Sequence, residues 1–456
     1  MQRLKSLLFS GIALCICCAA TLAQAQTTLT IATVDNGDMI RMQRLAERFT
    51  AAFPDIVLNW IILDENVLRQ RVTTDIATGG GQFDIVTIGT FEAPIWAGRG
   101  WLLPLADMPD GYDVDDIMPA IREALSVEGT LYAAPFNGES AFTMYRTDLF
   151  EQAGLEMPAA PSWEFIKQAA AALSGKNSDV YGICLRGKPG WGENMALLTA
   201  MANAYGARWF DMDWRPRIDS EAWSRALNDY VSLLSEYGPP DAISNGFSET
   251  LELFQRGQCA IWIDATVAAS FLIDPEESRV AGKVGFALAP DAGLGKRSNW
   301  LWSWALAISA TSEHQDAAKR FVAWATSREY IELVAKEEGW ANVPPGTRMS
   351  LYETQAYLDA APFAAMTLAS IQAADPARPC VDEVPYKGIQ YVDIPEFPGI
   401  GTAVGERFGK ALTGEIPTEE ALKNAQWVTG KVIQRARRVR DEPPDRRSTE
   451  ETSDTE

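Results

Sequence analysis

The chain has 456 residues, 47% of them hydrophobic and 22% charged, and a formal net charge of −21. That length exceeds what one hydrophobic core usually supports, so two lobes are expected. The acidic balance argues against nucleic acid or anionic lipid surfaces as partners, since both carry the same sign.

The opening "MQRLKSLLFSGIALCICCAATLAQAQ" places Arg3 and Lys5 before an apolar run from Leu7 to about Ala20, then "AQA". This is the order of a secretory signal peptide, residues 1–25, cleaved between Ala25 and Gln26. The run is shorter than the roughly 20 residues a membrane anchor needs. Leu14 before Cys15 and Ile16 before Cys17 make a poor lipoprotein motif. An exported, soluble mature chain is expected. It keeps Cys184, Cys259 and Cys380, so at most one internal disulfide forms, and their spacing fits no zinc pattern.

"LTIATV" (29–34) reads as a strand, followed by a helix over Ile40–Phe53 with Met42, Leu45, Phe49 and Phe53 on one face. "IVLNWIIL" (56–63) is a second strand, Leu68, Val72 and Ile76 mark a second helix ended by Gly79, and "FDIVTIG" (83–89) is a third strand. Alternation of this kind predicts a parallel sheet, whose ligands bind beyond the carboxyl ends of the strands. Those ends carry Asp35 and Asn36, Asp64 and Glu65, then Thr90 and Glu92. "TGGGQFD" (78–84) is a helix stop rather than a phosphate loop, because it follows a helix and lacks the lysine.

"LYAAPFNGESAFTMYR" is a strand-like stretch able to cross to a second lobe. "SWEFIKQAAAAL" begins with an N-cap, and "VYGICLR", "CAIWID" and "VGFALAP" are further predicted strands. In "NWLWSWALAIS" (299–309), Trp300, Trp302 and Trp304 alternate, so their indoles share a sheet face as core or as a ligand wall. "HQDAAKRFVAWATSREYIELVAKE" and "TEEALKNAQWVTGKVIQRARR" are helical, and residues 441–456 form a polar, acidic tail expected to be disordered.

His314 is the only histidine and follows "ATSE" on a polar face. Ser-His-Asp catalysis and histidine metal sites therefore have no candidates, and no cofactor or metal is expected. Glu139, Glu193 and Asp264 could serve a glycoside-acting enzyme, which needs only two carboxyl groups. They could equally hold sugar hydroxyls, since a carboxylate accepts hydrogen bonds through both oxygens. A third alternative is an envelope protein that keeps the fold without a small ligand.

At "IPEFPGIGTAVGERFGKALTGEIPTEEALKNAQ" (394–426) the chain resembles the family-one extracellular solute-binding proteins of ABC importers. "FDIV", "GQCAIWID" and "WALAIS…AAKRFVAWATSREYIELVAKEEG" are similar to other blocks of that family, in its order. "VPYKGIQYVDIPEFPGIGTAV" most resembles the sorbitol/mannitol-binding branch, beside branches for maltose, trehalose and glycerol phosphate.

The resemblance implies an α/β, two-lobed periplasmic binding protein fold, each lobe a mainly parallel sheet flanked by helices, with the ligand cleft between lobes. Residues 27–135 plus 300–343 would form lobe one and 136–299 plus 344–440 lobe two. It further implies a monomeric, non-catalytic periplasmic protein that closes on a polyol or sugar and meets inner-membrane permease subunits. By position in the family pattern, the ligand-binding set adds Glu139, Trp191, Glu193, Asn194, Asp264, Trp302 and Trp304 to the six strand-end residues. Little in that set is cationic, which argues against phosphorylated ligands; Arg378 in "DPARPC" is the exception.

Overall fold

The computed structural model describes residues 26–175 and 179–441. The leader assigned to 1–25 and the tail from 442 onward lie outside the described residues; Asp441, placed in the tail by sequence, ends the last helix, Thr418–Asp441.

Ten strands follow in chain order: β1 (Thr27–Val34), β2 (Ile56–Leu63), β3 (Ile85–Gly89), β4 (Ser126–Val127), β5 (Thr130–Leu131), β6 (Ala133–Glu139), β7 (Ala141–Arg146), β8 (Ile261–Ala265), β9 (Val284–Leu288) and β10 (Trp302–Ile308). The first sheet has the order β2-β1-β3-β10-β6. β1 pairs in parallel with β2 and β3, as the strand–helix alternation predicts, and β3 is buried along its whole length between helical layers. β10 enters antiparallel between β3 and β6. The register shifts between Trp304 and Ala305, where Phe136 of β6, next to Pro135, is left without a partner. Proline has no N–H for the ladder, so the strand bulges there and keeps Asn137 and Glu139 on one face opposite Trp304 and Trp302.

The helices begin where the strand-end polar residues are. Asn36 accepts the Met39 N–H at 2.9 Å to cap Gly37–Leu45, and Asp64 accepts the Asn66 N–H at 3.0 Å to cap Glu65–Thr78. Gly79, the helix stop expected from sequence, closes the latter helix in the left-handed region at φ 65°.

The strand-like stretch at 131–146 does cross. β6 stays in the first sheet to Glu139, and after Ser140 the chain continues as β7 in a second sheet of order β8-β7-β9. This sheet departs from the mainly parallel expectation, because both of its strand pairs are antiparallel. β8 and β9 run in the same direction, but β7 lies between them and enters from the opposite lobe, so it opposes both. "VYGICLR" gives only isolated bridges, Tyr181 to Cys259 and Cys184 to Trp262, rather than a full strand. Gly182 packs so tightly that a Cβ would stand 2.2 Å from the Ala170 carbonyl oxygen.

Cys184 and Cys259 form the single disulfide among the described residues, and Cys380 is free and buried. The bridge closes a loop of 75 residues, for which chain-entropy arguments give about 4 kcal/mol. Cys259→Ser is expected to lower unfolding stability by about that amount in urea titrations, with reductant doing the same to the wild type and nothing to the variant.

Candidate functional site

The two sheets face each other across a cleft that encloses about 230 Å³. It is lined from the first lobe by Asp35, Asn36, Asp38, Asp64, Glu65 and Arg69, and from the second by Arg186, Lys188, Trp191, Glu193, Phe247, Glu249 and Phe271. Asn137, Glu139, Trp300, Trp302, Trp304 and Gln390 complete the wall. The lobes are closed on one another: Lys188 Nζ reaches Asp64 at 3.0 Å, and Phe91 packs on Trp191 with ring centroids 5.0 Å apart.

β6 and β10 supply the floor. Glu139 sits opposite Trp302 and receives the Trp300 indole N–H at 3.4 Å. Asn137, opposite Trp304, donates to Asp38 Oδ2 at 2.9 Å, and Arg41 holds the other Asp38 oxygen at 2.9 Å. Three indoles crowd here because Gly89 of β3 leaves room; a Cβ on it would stand 1.9 Å from the Trp302 ring. The alternating tryptophans are thus both core and wall: each is at most 7% exposed, and each lines the cleft.

The floor of the second lobe is organised by a salt bridge. Arg186 donates to Asp264 through Nε and Nη2, at 2.9 and 2.6 Å, and through Nη1 to the Gly192 carbonyl at 2.9 Å. Asp264 is fully buried and also accepts the Trp262 indole N–H at 3.1 Å and the Ala265 N–H at 2.6 Å. With its acceptor sites filled, it stands behind Arg186 rather than on the cleft wall.

Burial pushes the Glu139 carboxyl up to about 8, with Asp264 adding to the shift and the Arg186 guanidinium opposing it. Burial and the neighbouring Glu65 push Glu193 up to about 7, against Arg186 and Lys188. Near neutral pH these carboxyls retain protons that ordinary carboxyls have lost, so a buried acid can donate as well as accept. Glu193 Oε2 and Gln390 Oε1 are buried acceptors with no hydrogen-bond donor among the described residues.

Nine of the fourteen residues expected from sequence line the cleft: Asp35, Asn36, Asp64, Glu65, Glu139, Trp191, Glu193, Trp302 and Trp304. Five do not. Asp264 is occupied by Arg186, and Glu92 is occupied by Arg69 and by the Gly89 N–H at 2.9 Å. Thr90 is buried with its hydroxyl 3.4 Å from that of Tyr391. Asn194 ties Gly190 N–H to the Gly405 carbonyl, fixing the loop before it. Arg378 is a surface residue paired with Asp375 at 2.9 Å, its side chain 84% exposed.

The expectation of a site with little cationic character does not hold: Arg69, Arg186 and Lys188 all line the cleft. Their signals were the placement of Arg69 four residues after Glu65 and the cations of "LRGKPGWGEN" beside the loop already singled out. Asn137 could have been found from its alternation with Glu139 on one strand face. Nothing local marked Gln390. Seven carboxyl groups on the lining outnumber the three cations, so the cleft is acidic overall.

Two α/β lobes joined by a crossing strand and closed over a polar, tryptophan-walled cleft define a solute-binding protein. Residues 36–332 match the bacterial extracellular solute-binding protein family, and the chain belongs to that family. It is a binding component of ABC transport and not an enzyme, which removes the glycoside-acting alternative.

Within the family, the chain is 56% identical over 415 residues to a mannitol-binding protein of Pseudomonas aeruginosa, covering 91% of this chain and 95% of that one. It is similar to a crystal structure of an ABC transporter solute-binding protein from Agrobacterium vitis with bound D-mannitol, at 60% identity and TM-score 0.88, covering 90% and 99% of the two chains. A solute-binding protein from Agrobacterium radiobacter in complex with ribitol aligns at 26% identity and TM-score 0.78, covering 89% and 98%.

Proposed function

We propose that the protein captures a linear sugar alcohol, D-mannitol foremost, in the periplasm and delivers it to inner-membrane permease subunits. The observation that carries this reading is the relative at 60% identity, aligned over nearly its whole length, that holds D-mannitol. The chemistry of the cleft supports it. A polyol brings a hydroxyl on every carbon and no charge, so it needs many acceptors, some donors and apolar surface for its C–H edges.

Asp35, Glu139, Glu193 and Gln390 offer acceptors, Asn137, Arg186 and Lys188 offer donors, and Trp300 offers apolar surface. The cations do not make an anion site. Arg186 is paired with Asp264, Arg69 with Glu65, and Lys188 with Asp64. Ligand bridging both lobes favours the closed state, and the closed form is the one the permease reads. The leader is cleaved near Ala25, and the protein acts as a monomer.

The test is intrinsic tryptophan fluorescence of the mature protein, titrated with D-mannitol, sorbitol, arabinitol, ribitol and maltose. Four indoles on the cleft wall make the readout sensitive. Saturable changes with linear polyols are expected; saturation by maltose alone would keep the transport role and discard the polyol.

A further inference from the structure

Arg69 projects from the helix Glu65–Thr78 into the aromatic wall. Its guanidinium carbon lies 4.0 Å from the ring centroid of Trp191, 5.1 Å from Trp302 and 5.0 Å from Trp304. Two carboxylates fix it there. Glu65 Oε1 accepts from Nη2 at 3.0 Å and from Nε at 3.2 Å, and Glu92 accepts from Nη1. The side chain is only 11% exposed.

An indole holds a cation through the negative potential of its ring face, and the attraction strengthens where water is excluded. A sugar ring needs that same face to lay its C–H groups on. Here three faces are turned to one cation belonging to the protein itself. Trp191 comes from the opposite lobe, and the glycines beside it let its loop seat closely: a Cβ on Gly192 would stand 2.2 Å from Glu65 Oε1. Closure therefore completes the cage rather than opening a stacking platform.

We infer that Arg69 is a specificity-determining residue that occupies the facing surfaces of Trp191, Trp302 and Trp304, reserving the closed cleft for an open-chain polyol and denying pyranose rings those three indoles to stack on. The identity of the admitted ligand rests on the polyol reading above; the exclusion of rings rests on the cage alone.

The experiment is calorimetric titration of the wild type and Arg69→Ala with D-mannitol and with methyl α-D-mannopyranoside, a ring of similar size. The wild type is expected to bind D-mannitol and not the pyranoside. The variant is expected to lose about tenfold or more in D-mannitol affinity and to gain measurable pyranoside binding, narrowing the ratio by at least about tenfold. If folded Arg69→Ala weakens without gaining the pyranoside, Arg69 only latches the lobes and the specificity role is overturned. Arg69→Gln, which removes the cation but keeps a polar head toward Glu65 and Glu92, is read the same way should the alanine variant not fold. A wild type that binds the pyranoside sinks the cage whatever D-mannitol does. A wild type silent to D-mannitol, with a variant that gains the pyranoside, sinks the polyol reading and leaves the cage standing.

Discussion

Asp264→Ala is expected to destabilise the protein by about 3–5 kcal/mol, the cost of leaving a buried cation without its partner. Asp264 is fully buried, and its removal strands the Arg186 guanidinium together with the Trp262 and Ala265 N–H groups. Binding is expected to suffer as well. Arg186 Nη1 holds the Gly192 carbonyl, so a displaced Arg186 releases the loop that carries Trp191 and Glu193. Loss of D-mannitol affinity by about 100-fold or more is expected, since each 1.4 kcal/mol is tenfold. Urea denaturation and calorimetric titration of the same preparation separate the two effects. A change below about 1 kcal/mol would mean that Glu193, 3.8 Å from Arg186, takes over the charge and that Asp264 is not the anchor.

The second large effect is a pH dependence carried by Glu139. Its carboxyl titrates near 8 in the folded protein, against an ordinary value of 4.5. Between those values the folded state binds more protons than the unfolded chain, so stability falls as pH rises. The contribution is complete below about pH 4.5 and lost once pH passes about 8. The slope approaches about 1.4 kcal/mol per pH unit in the middle of that window. Glu193 acts in the same direction over a narrower range, up to about 7. Glu139→Gln removes the larger share: unfolding free energies of the unliganded variant at pH 5, 6, 7 and 8 should run flatter than those of the wild type. Parallel curves would show that Glu139 ionises normally in its buried setting.

The sequence was most informative where local chemistry and tertiary role coincide. Alternating strands and helices gave the first lobe, and polar residues after strands gave Asn36 and Asp64, which cap helices and line the cleft at once. The triple tryptophan was legible as one face because the bulge falls on β6 and leaves the period-two alternation of β10 intact. What stayed hidden depends on pairing across long separations. Asp264 has the look of a ligand carboxylate, and only its meeting with Arg186, 78 residues away, makes it a support. Glu92 is taken in the same way by Arg69. The antiparallel second sheet was hidden because strand direction there is set by where β7 enters, not by any residue in it. Arg378 offers only its charge in the sequence, and in the fold it pairs at the surface with Asp375, three residues before it.

The most direct measurement is calorimetric titration of the mature protein at pH 7 with D-mannitol and, separately, with D-mannitol 1-phosphate. An acidic, hydroxyl-accepting cleft whose lining cations are all paired predicts one D-mannitol bound per chain, with a negative heat-capacity change from lobe closure and no heat from the phosphate. Binding of the phosphate in preference to D-mannitol would contradict it.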